Sequence, residues 1–128
     1  EQTYILTWED RLQVKELERL LQSRQYGETV PIELLVLSAC KTAQGDDRAA
    51  LGLAGIAVRS GARSTLATLW SVKDKSTALL MSQFYDALVQ PNTSKARALR
   101  QAQLLMLEET EYRHPFYWSP FVLVGNWL

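Results

Sequence analysis

Residues 34–47 read LLVLSACKTAQGDD and form the most informative stretch of this chain. Four consecutive apolar residues, Leu34 to Leu37, favour a short strand buried on both faces, as strands of parallel sheets are. Cys40 follows three residues later, and a loop containing Gly and Asp comes next. Sites in open α/β sheets form at the carboxyl ends of the strands. The stretch therefore predicts a parallel sheet with Cys40 at its functional edge.

Strand and helix patterns alternate along the rest of the chain. This alternation predicts an α/β layered fold with a largely parallel sheet, in one domain without repeats or linkers. The predicted elements are a strand over 3–8, a helix over 9–24, the strand over 34–37, a helix over 48–60, a strand over 64–69, helices over 71–90 and 94–109, and a strand over 121–124.

Local signals refine several of these elements. Asp46 or Asp47 is suited to cap the helix over 48–60, and Ser94 the helix over 94–109. Gly61 is expected to end the former in a left-handed conformation. Two helices have an expected apolar face, formed by Leu12, Leu17, Leu20 and Leu21 in one and by Leu79, Leu80, Phe84 and Leu88 in the other.

Composition excludes several classes of protein. The chain has 128 residues, 47% of them hydrophobic, and a formal net charge of zero. Zero net charge gives no electrostatic footprint for nucleic acid, so no nucleic-acid partner is expected. One Cys and one His exclude an internal disulfide and a Cys-rich or His-rich metal site. No apolar run approaches the roughly 18 residues needed to span a bilayer, so we expect a cytoplasmic protein.

Cys40 is the first candidate for chemistry, because a thiolate near a helix start or a base is a nucleophile. A free Cys is, however, more often a small buried hydrophobe. His114 is the only imidazole, but its neighbours Pro115 and Phe116 favour a structural His in an ordered turn before the last strand. Trp70, directly after a strand, is either core or the wall of a pocket.

The motif around Cys40 resembles that of the CHAT domain, a member of the caspase/separase-like cysteine peptidases that is often attached to TPR repeats. The resemblance covers essentially the whole chain through an ordered series of short motifs. The other matches are Gly61-Ala62-Arg63, Leu69-Trp70-Ser71-Val72 with Asp74, Phe84-Tyr85, Ala98-Leu99-Arg100-Gln101-Ala102, His114-Pro115 with Trp118, and Phe121-Val122-Leu123-Val124-Gly125.

The resemblance implies a three-layer caspase-like fold and a His–Cys dyad without a metal or cofactor. Cys40 would attack a peptide carbonyl while its backbone N–H stabilises the oxyanion. Asp46 and Asp47 would border the substrate cleft and favour a basic residue at the cleavage position, with Trp70 as a further substrate contact.

The catalytic His of the family is missing from its expected place. Caspase-type enzymes carry it about 50 residues before the Cys. Here 39 residues precede Cys40, and none is His. The resemblance thus implies that residues 1–128 are the C-terminal portion of a single CHAT domain, with the His and the N-terminal strands upstream. An exposed sheet edge should then pair with that upstream segment or with a second copy, or make the chain poorly soluble.

Two functions follow from these patterns. One is a cysteine endopeptidase domain whose His base is supplied from upstream, so that this chain alone is inactive. The other is a non-catalytic caspase-like interaction or scaffold module of a bacterial signalling protein, with Cys40 as a remnant. A small unrelated α/β binding domain is a third reading, which the ordered motifs disfavour.

Overall fold

The computed structural model describes residues 4–6, 11–25, 31–37 and 47–128. The predicted α/β class is confirmed, with helices and strands alternating through most of the chain. The elements are β1 (Tyr4–Leu6), β2 (Arg11–Gln13), α1 (Val14–Gln25), β3 (Leu35–Leu37), α2 (Asp47–Arg59), β4 (Ser64–Thr68), α3 (Asp74–Leu88), α4 (Lys95–Glu108), a 3-10 turn (Pro115–Tyr117) and β5 (Phe121–Gly125).

The chain divides into two compact units. Unit 1 comprises Glu1–Ser71 and Val122–Asn126, and unit 2 comprises Val72–Phe121 and Trp127–Leu128. Unit 1 therefore contains the strands and the first two helices, whereas unit 2 is built on α3 and α4.

A mixed sheet of three strands in the order β3-β4-β5 organises unit 1. β3 and β4 are parallel, with Leu35 opposite Thr65 and Leu37 opposite Ala67. The end of β5 lies against the start of β4, because the Asn126 N–H donates to the Arg63 carbonyl at 2.8 Å. β5 therefore runs antiparallel to β4, and one of the two described strand pairings is parallel. The prediction of a mostly parallel sheet is right only for β3 and β4. The three-layer caspase-like arrangement stays a prediction.

Burial differs sharply between the two parallel strands. All five residues of β4 are buried, as expected for the central strand of the three. Leu35, Val36 and Leu37 of β3 are only half-buried. Expecting this strand to be fully buried was wrong for the described residues, because β3 has β4 on one side and lies at the edge of the sheet that they form.

The N-terminal part differs from the expectation of one strand followed directly by a helix. β1 pairs with a second, antiparallel strand, β2, and α1 starts only at Val14. At this start the Gln13 N–H donates to the Glu16 carboxylate at 2.8 Å, which satisfies one of the free donors of the helix end.

One cluster of buried apolar residues in unit 1 lies where α1 meets α2 and the turn that follows it. Leu17 and Leu21 pack with Ala57 and Ala62, as the apolar face of α1 predicts. Leu20 lies outside this core with 57% of its surface exposed, so its assignment to that face was wrong.

The connection from α2 to β4 follows its sequence signal. Gly61 has a φ of 112°, as predicted for the residue that ends the helix. The Ala62 N–H reaches back to the Ala57 carbonyl at 3.1 Å, and the Gly61 N–H to Val58 at 3.2 Å. This turn sends the chain from α2 directly into the central strand.

Unit 2 rests on the packing of α3 against α4. Both helices lie within the predicted ranges, and the Ser94 hydroxyl accepts a hydrogen bond from the Arg97 N–H at 3.2 Å, which confirms the cap. The C-terminal residues join this unit, since the Lys95 ammonium donates to the Leu128 oxygen at 2.8 Å. The buried side chains of the two helices are Ser76, Leu80, Phe84, Ala87, Lys95, Ala98, Leu99, Ala102 and Met106.

Candidate active site

Because β3 and β4 are parallel, both strands end on the same side of the sheet. The two strands run side by side in register, with Leu37 opposite Ala67. Their carboxyl ends therefore lie next to each other. In the sequence, Cys40 follows β3 and Trp70 follows β4. The two candidate segments therefore start at the carboxyl ends of neighbouring strands, where α/β folds form their sites.

Two of the predicted site residues, Cys40 and Asp46, lie outside the described residues. Asp47 is the first residue of α2, so the helix begins seven residues after Cys40 in the sequence. Asp47 is therefore not the N-cap of α2, whereas the cap at Asp46 and the site roles of Cys40, Asp46 and Asp47 stay predictions. The structure fixes the two ends of the connection, the end of β3 and the start of α2.

Trp70 follows β4 by two residues and is half-buried. It has an interaction partner within the protein. Both sequence readings, core packing and the wall of a pocket, agree with partial burial. Trp70 thus follows the carboxyl end of the central strand.

The polar residues of β4 are a feature that hydrophobic patterning did not reveal. Ser64 and Thr65 are fully buried, and Thr68 is 4% exposed. The Ser64 hydroxyl donates to the Glu33 carbonyl across the sheet. The Thr65 hydroxyl has no hydrogen-bond partner in the structure as described. A buried hydroxyl of this kind lowers stability, because its desolvation is not compensated.

His114 occupies the ordered turn that the sequence predicts for it. Its Nδ1 accepts a hydrogen bond from the Phe116 N–H at 3.2 Å and so caps the 3-10 turn. The side chain is exposed. An imidazole that caps a turn has a structural role, which agrees with the interpretation that it is not the base for Cys40.

Comparison with known families decides which kind of domain this is. The CHAT domain family model matches residues 1–126. The chain belongs to the CHAT domain family. Searches of curated proteins and of solved structures found no significant match. Membership in the family suggests a domain related to caspase-like peptidases.

Membrane-spanning helices and metal-binding clusters are both absent from the described part of this CHAT domain. No helix there has the length and apolar character needed to cross a membrane. Nor does that part contain a group of three or more His, Cys, Asp or Glu side chains placed to hold a metal ion.

The turn that precedes β5 of the CHAT domain is rich in aromatic side chains. The Tyr117 ring lies 5.4 Å from that of Tyr112 and 5.6 Å from that of Phe116, in edge-to-face contacts. The Lys73 ammonium lies 5.9 Å from the centre of the Tyr117 ring. From the sequence, the aromatic residues near His114 indicate only an ordered turn before the last strand. The number of aromatic residues close to Glu109 and Glu111 in the sequence is the signal that could have indicated a binding surface here.

The Tyr112 phenol reports on the environment of this turn. Its pKa is raised above the usual value, first by partial desolvation and then by the carboxylate of Glu111, which repels the phenolate and hydrogen-bonds to the phenol. Glu109 and Tyr117 add to the effect. The aromatic side chains and the carboxylates therefore share one local environment.

Proposed function

We propose that this CHAT domain carries the nucleophile of a caspase-like cysteine endopeptidase, and that the general base is a His supplied from sequence upstream of residue 1. Membership in the family supports this proposal, and the shared sheet edge where the chain leaves β3 and β4 is the observation that carries it. Cys40 follows β3 by three residues, at the sequence position of a site residue in an α/β sheet.

The chemistry of this proposal divides between two parts of the protein. The upstream His takes the thiol proton, and the Cys40 thiolate attacks the carbonyl carbon of the peptide. The backbone N–H of Cys40 donates to the oxyanion, the amine leaves with a proton from the His, and water then hydrolyses the thioester. The cleft that binds the substrate side chain is bordered by Asp46, Asp47 and Trp70. The upstream segment pairs with the sheet and is the first partner of this chain, with peptide substrates as the second.

Reactivity of Cys40 is tested by labelling the protein with a thiol-reactive peptide ketone and mapping the adduct by mass spectrometry. The label is expected on Cys40 and is lost in Cys40→Ala. His114→Ala is the matched control and keeps the label, because His114 caps a turn. Activity on peptides should require the upstream segment, whose His contributes about 100- to 10,000-fold. An unreactive Cys40 in the complete domain would instead favour the non-catalytic interaction module.

The preference for a basic residue at the cleavage position is tested with a peptide library on the complete domain. We expect Arg or Lys to be preferred, and Asp46→Asn together with Asp47→Asn to abolish that preference while the reactivity of Cys40 toward a small alkylating agent persists. A library without any basic preference would refute this part of the proposal and leave the role of Cys40 intact.

A further inference from the structure

The aromatic turn, defined by the side chains of Tyr112, Phe116, Tyr117 and Trp118, is held by one hydrogen bond from the Trp118 ring and one to the Trp118 backbone. The Trp118 indole N–H donates to the Arg113 carbonyl at 3.1 Å. The Gln103 amide on α4 donates to the Trp118 carbonyl at 3.1 Å. A Trp118 ring and backbone fixed in this way lose little conformational entropy when a ligand binds, which preorganises this part of the turn.

The rings leave aromatic surface open to solvent. Tyr117 is central, with edge-to-face contacts to Tyr112 at 70° and to Phe116 at 84°. Phe116 has 45% of its surface exposed although it is a large apolar residue. An edge-to-face contact uses the edge of one ring and one face of the other, so it does not cover both faces of either ring.

The segment that carries the aromatic turn, residues 108–118, contains three carboxylates and one guanidinium. Glu108, Glu109 and Glu111 are exposed next to it in the sequence, and Glu111 and Glu109 act electrostatically on Tyr112. The Arg113 Nε donates to the Leu107 carbonyl at 3.3 Å, which leaves the guanidinium charged, so the carboxylates of this segment outnumber its cation by three to one. Carboxylates beside aromatic faces favour a positively charged partner.

Lys73 provides an internal example of that recognition. Its ammonium lies 5.9 Å from the centre of the Tyr117 ring, within the range of a cation–π contact. Lys73 is exposed, and its side chain is long and flexible, so an external cation can compete with it for this ring.

We propose that the aromatic turn is a binding site for an arginine side chain of an extended peptide. A guanidinium is the cation that fits these groups, because it stacks on aromatic rings, pairs with carboxylates through two donors and is weakly hydrated. The site goes beyond the proposed function, since the chemistry proposed for Cys40 uses none of these four side chains.

Binding is tested by NMR titration of the Cys40→Ala protein, so that the outcome does not depend on peptidase activity. The probe is acetyl-Gly-Arg-Gly amide, and its citrulline counterpart is the uncharged control. We expect the arginine peptide to shift the Trp118 indole N–H and the Phe116 and Tyr117 ring signals, with about two- to fivefold tighter binding than the citrulline peptide, the size of an exposed cation–π contact. Equal binding of the two peptides, or no shift at millimolar concentration, would overturn the proposal.

Variants assign the binding to these side chains. Phe116→Leu and Glu111→Gln should each weaken it, and Lys73→Met should strengthen it by removing the internal competitor. Tyr85→Leu is the matched control, because Tyr85 is also an exposed aromatic residue of unit 2, at 47%, and has an edge contact with Phe84. Far-ultraviolet circular dichroism verifies the fold of each variant. If Tyr85→Leu weakens binding as much as Phe116→Leu does, recognition is unspecific and the proposal is wrong.

Discussion

At the scale of single residues, two threonines of the same buried strand differ in the interactions of their side chains. Thr65 and Thr68 both lie on β4, and both are almost inaccessible to solvent. The Thr65 hydroxyl has no hydrogen-bond partner within the described structure, whereas Thr68 has an interaction partner. Their sequence environments do not reveal this difference, which depends on what each side chain faces.

Replacing Thr65 with Val is therefore expected to stabilise the protein. The substitution removes a desolvated hydroxyl and keeps the β-branched shape, so the free energy of unfolding should rise by about 1 kcal/mol. Chemical denaturation measures the change, and Thr68→Val is the matched control, for which no gain is expected. A loss of stability in Thr65→Val would mean that its hydroxyl is hydrogen-bonded.

Gly125 is a second position where the choice of a single residue affects stability, because it lacks a Cβ. Its φ is 96°, and a Cβ there would lie 2.5 Å from the Arg63 carbonyl oxygen. Both the backbone conformation and the close approach exclude a larger residue, so Gly125→Ala should lower the free energy of unfolding by more than about 1 kcal/mol.

A control for Gly125 exists in α2. A Cβ at Gly55 would have no atom within 4 Å, so Gly55→Ala should raise the free energy of unfolding by roughly 0.5–1 kcal/mol through better helix propensity. Thermal and chemical unfolding of the two variants should thus shift in opposite directions. Shifts in the same direction would contradict the described junction between β5 and β4.

At the scale of elements, α4 shows how a local signal determines the start of a helix. Ser94 stands at the N-cap with an extended backbone, and its hydroxyl accepts the Arg97 N–H at 3.2 Å. The sequence predicts this cap because Ser directly precedes a helical pattern. α1 is different, since residues 11–13 pair with β1 and delay the helix to Val14.

Ser94→Ala is expected to destabilise α4. One N–H of the first turn would lose its acceptor, which costs about 1 kcal/mol, whereas Ser94→Asp keeps an acceptor and should preserve stability. Amide hydrogen exchange of the first turn of α4 gives the local measurement, with faster exchange in the Ala variant. Equal exchange in the Ala and Asp variants would show that the cap contributes nothing.

Strand β3 shows where element prediction reaches its limit. The run Leu34 to Leu37 correctly indicates a strand that pairs in parallel. It does not indicate the position of that strand in the sheet, since an apolar run fits both a central and an edge strand. The half-burial of Leu35, Val36 and Leu37 follows from their place at the edge of the described sheet, and this place depends on which strands pair.

At the scale of the whole molecule, the family was recognisable from motifs distributed over most of the chain, and the family model confirms it over residues 1–126. The candidate site at Cys40 stays a prediction. Cys40 could be singled out by its position after a strand, whereas the aromatic turn also depends on the contact between Lys73 and Tyr117, which lie far apart in the sequence.

The sequence by itself determined the α/β class, the cap at Ser94, the glycine end of α2 and the family. These depend on neighbouring residues or on motif order, which the chain carries directly. Within the described residues, tertiary structure alone decided the antiparallel return of β5 against β4, the edge position of β3, the exposure of Leu20 and the lack of a hydrogen-bond partner for the Thr65 hydroxyl. Each of these depends on which distant segments meet, and hydrophobic periodicity does not encode that choice.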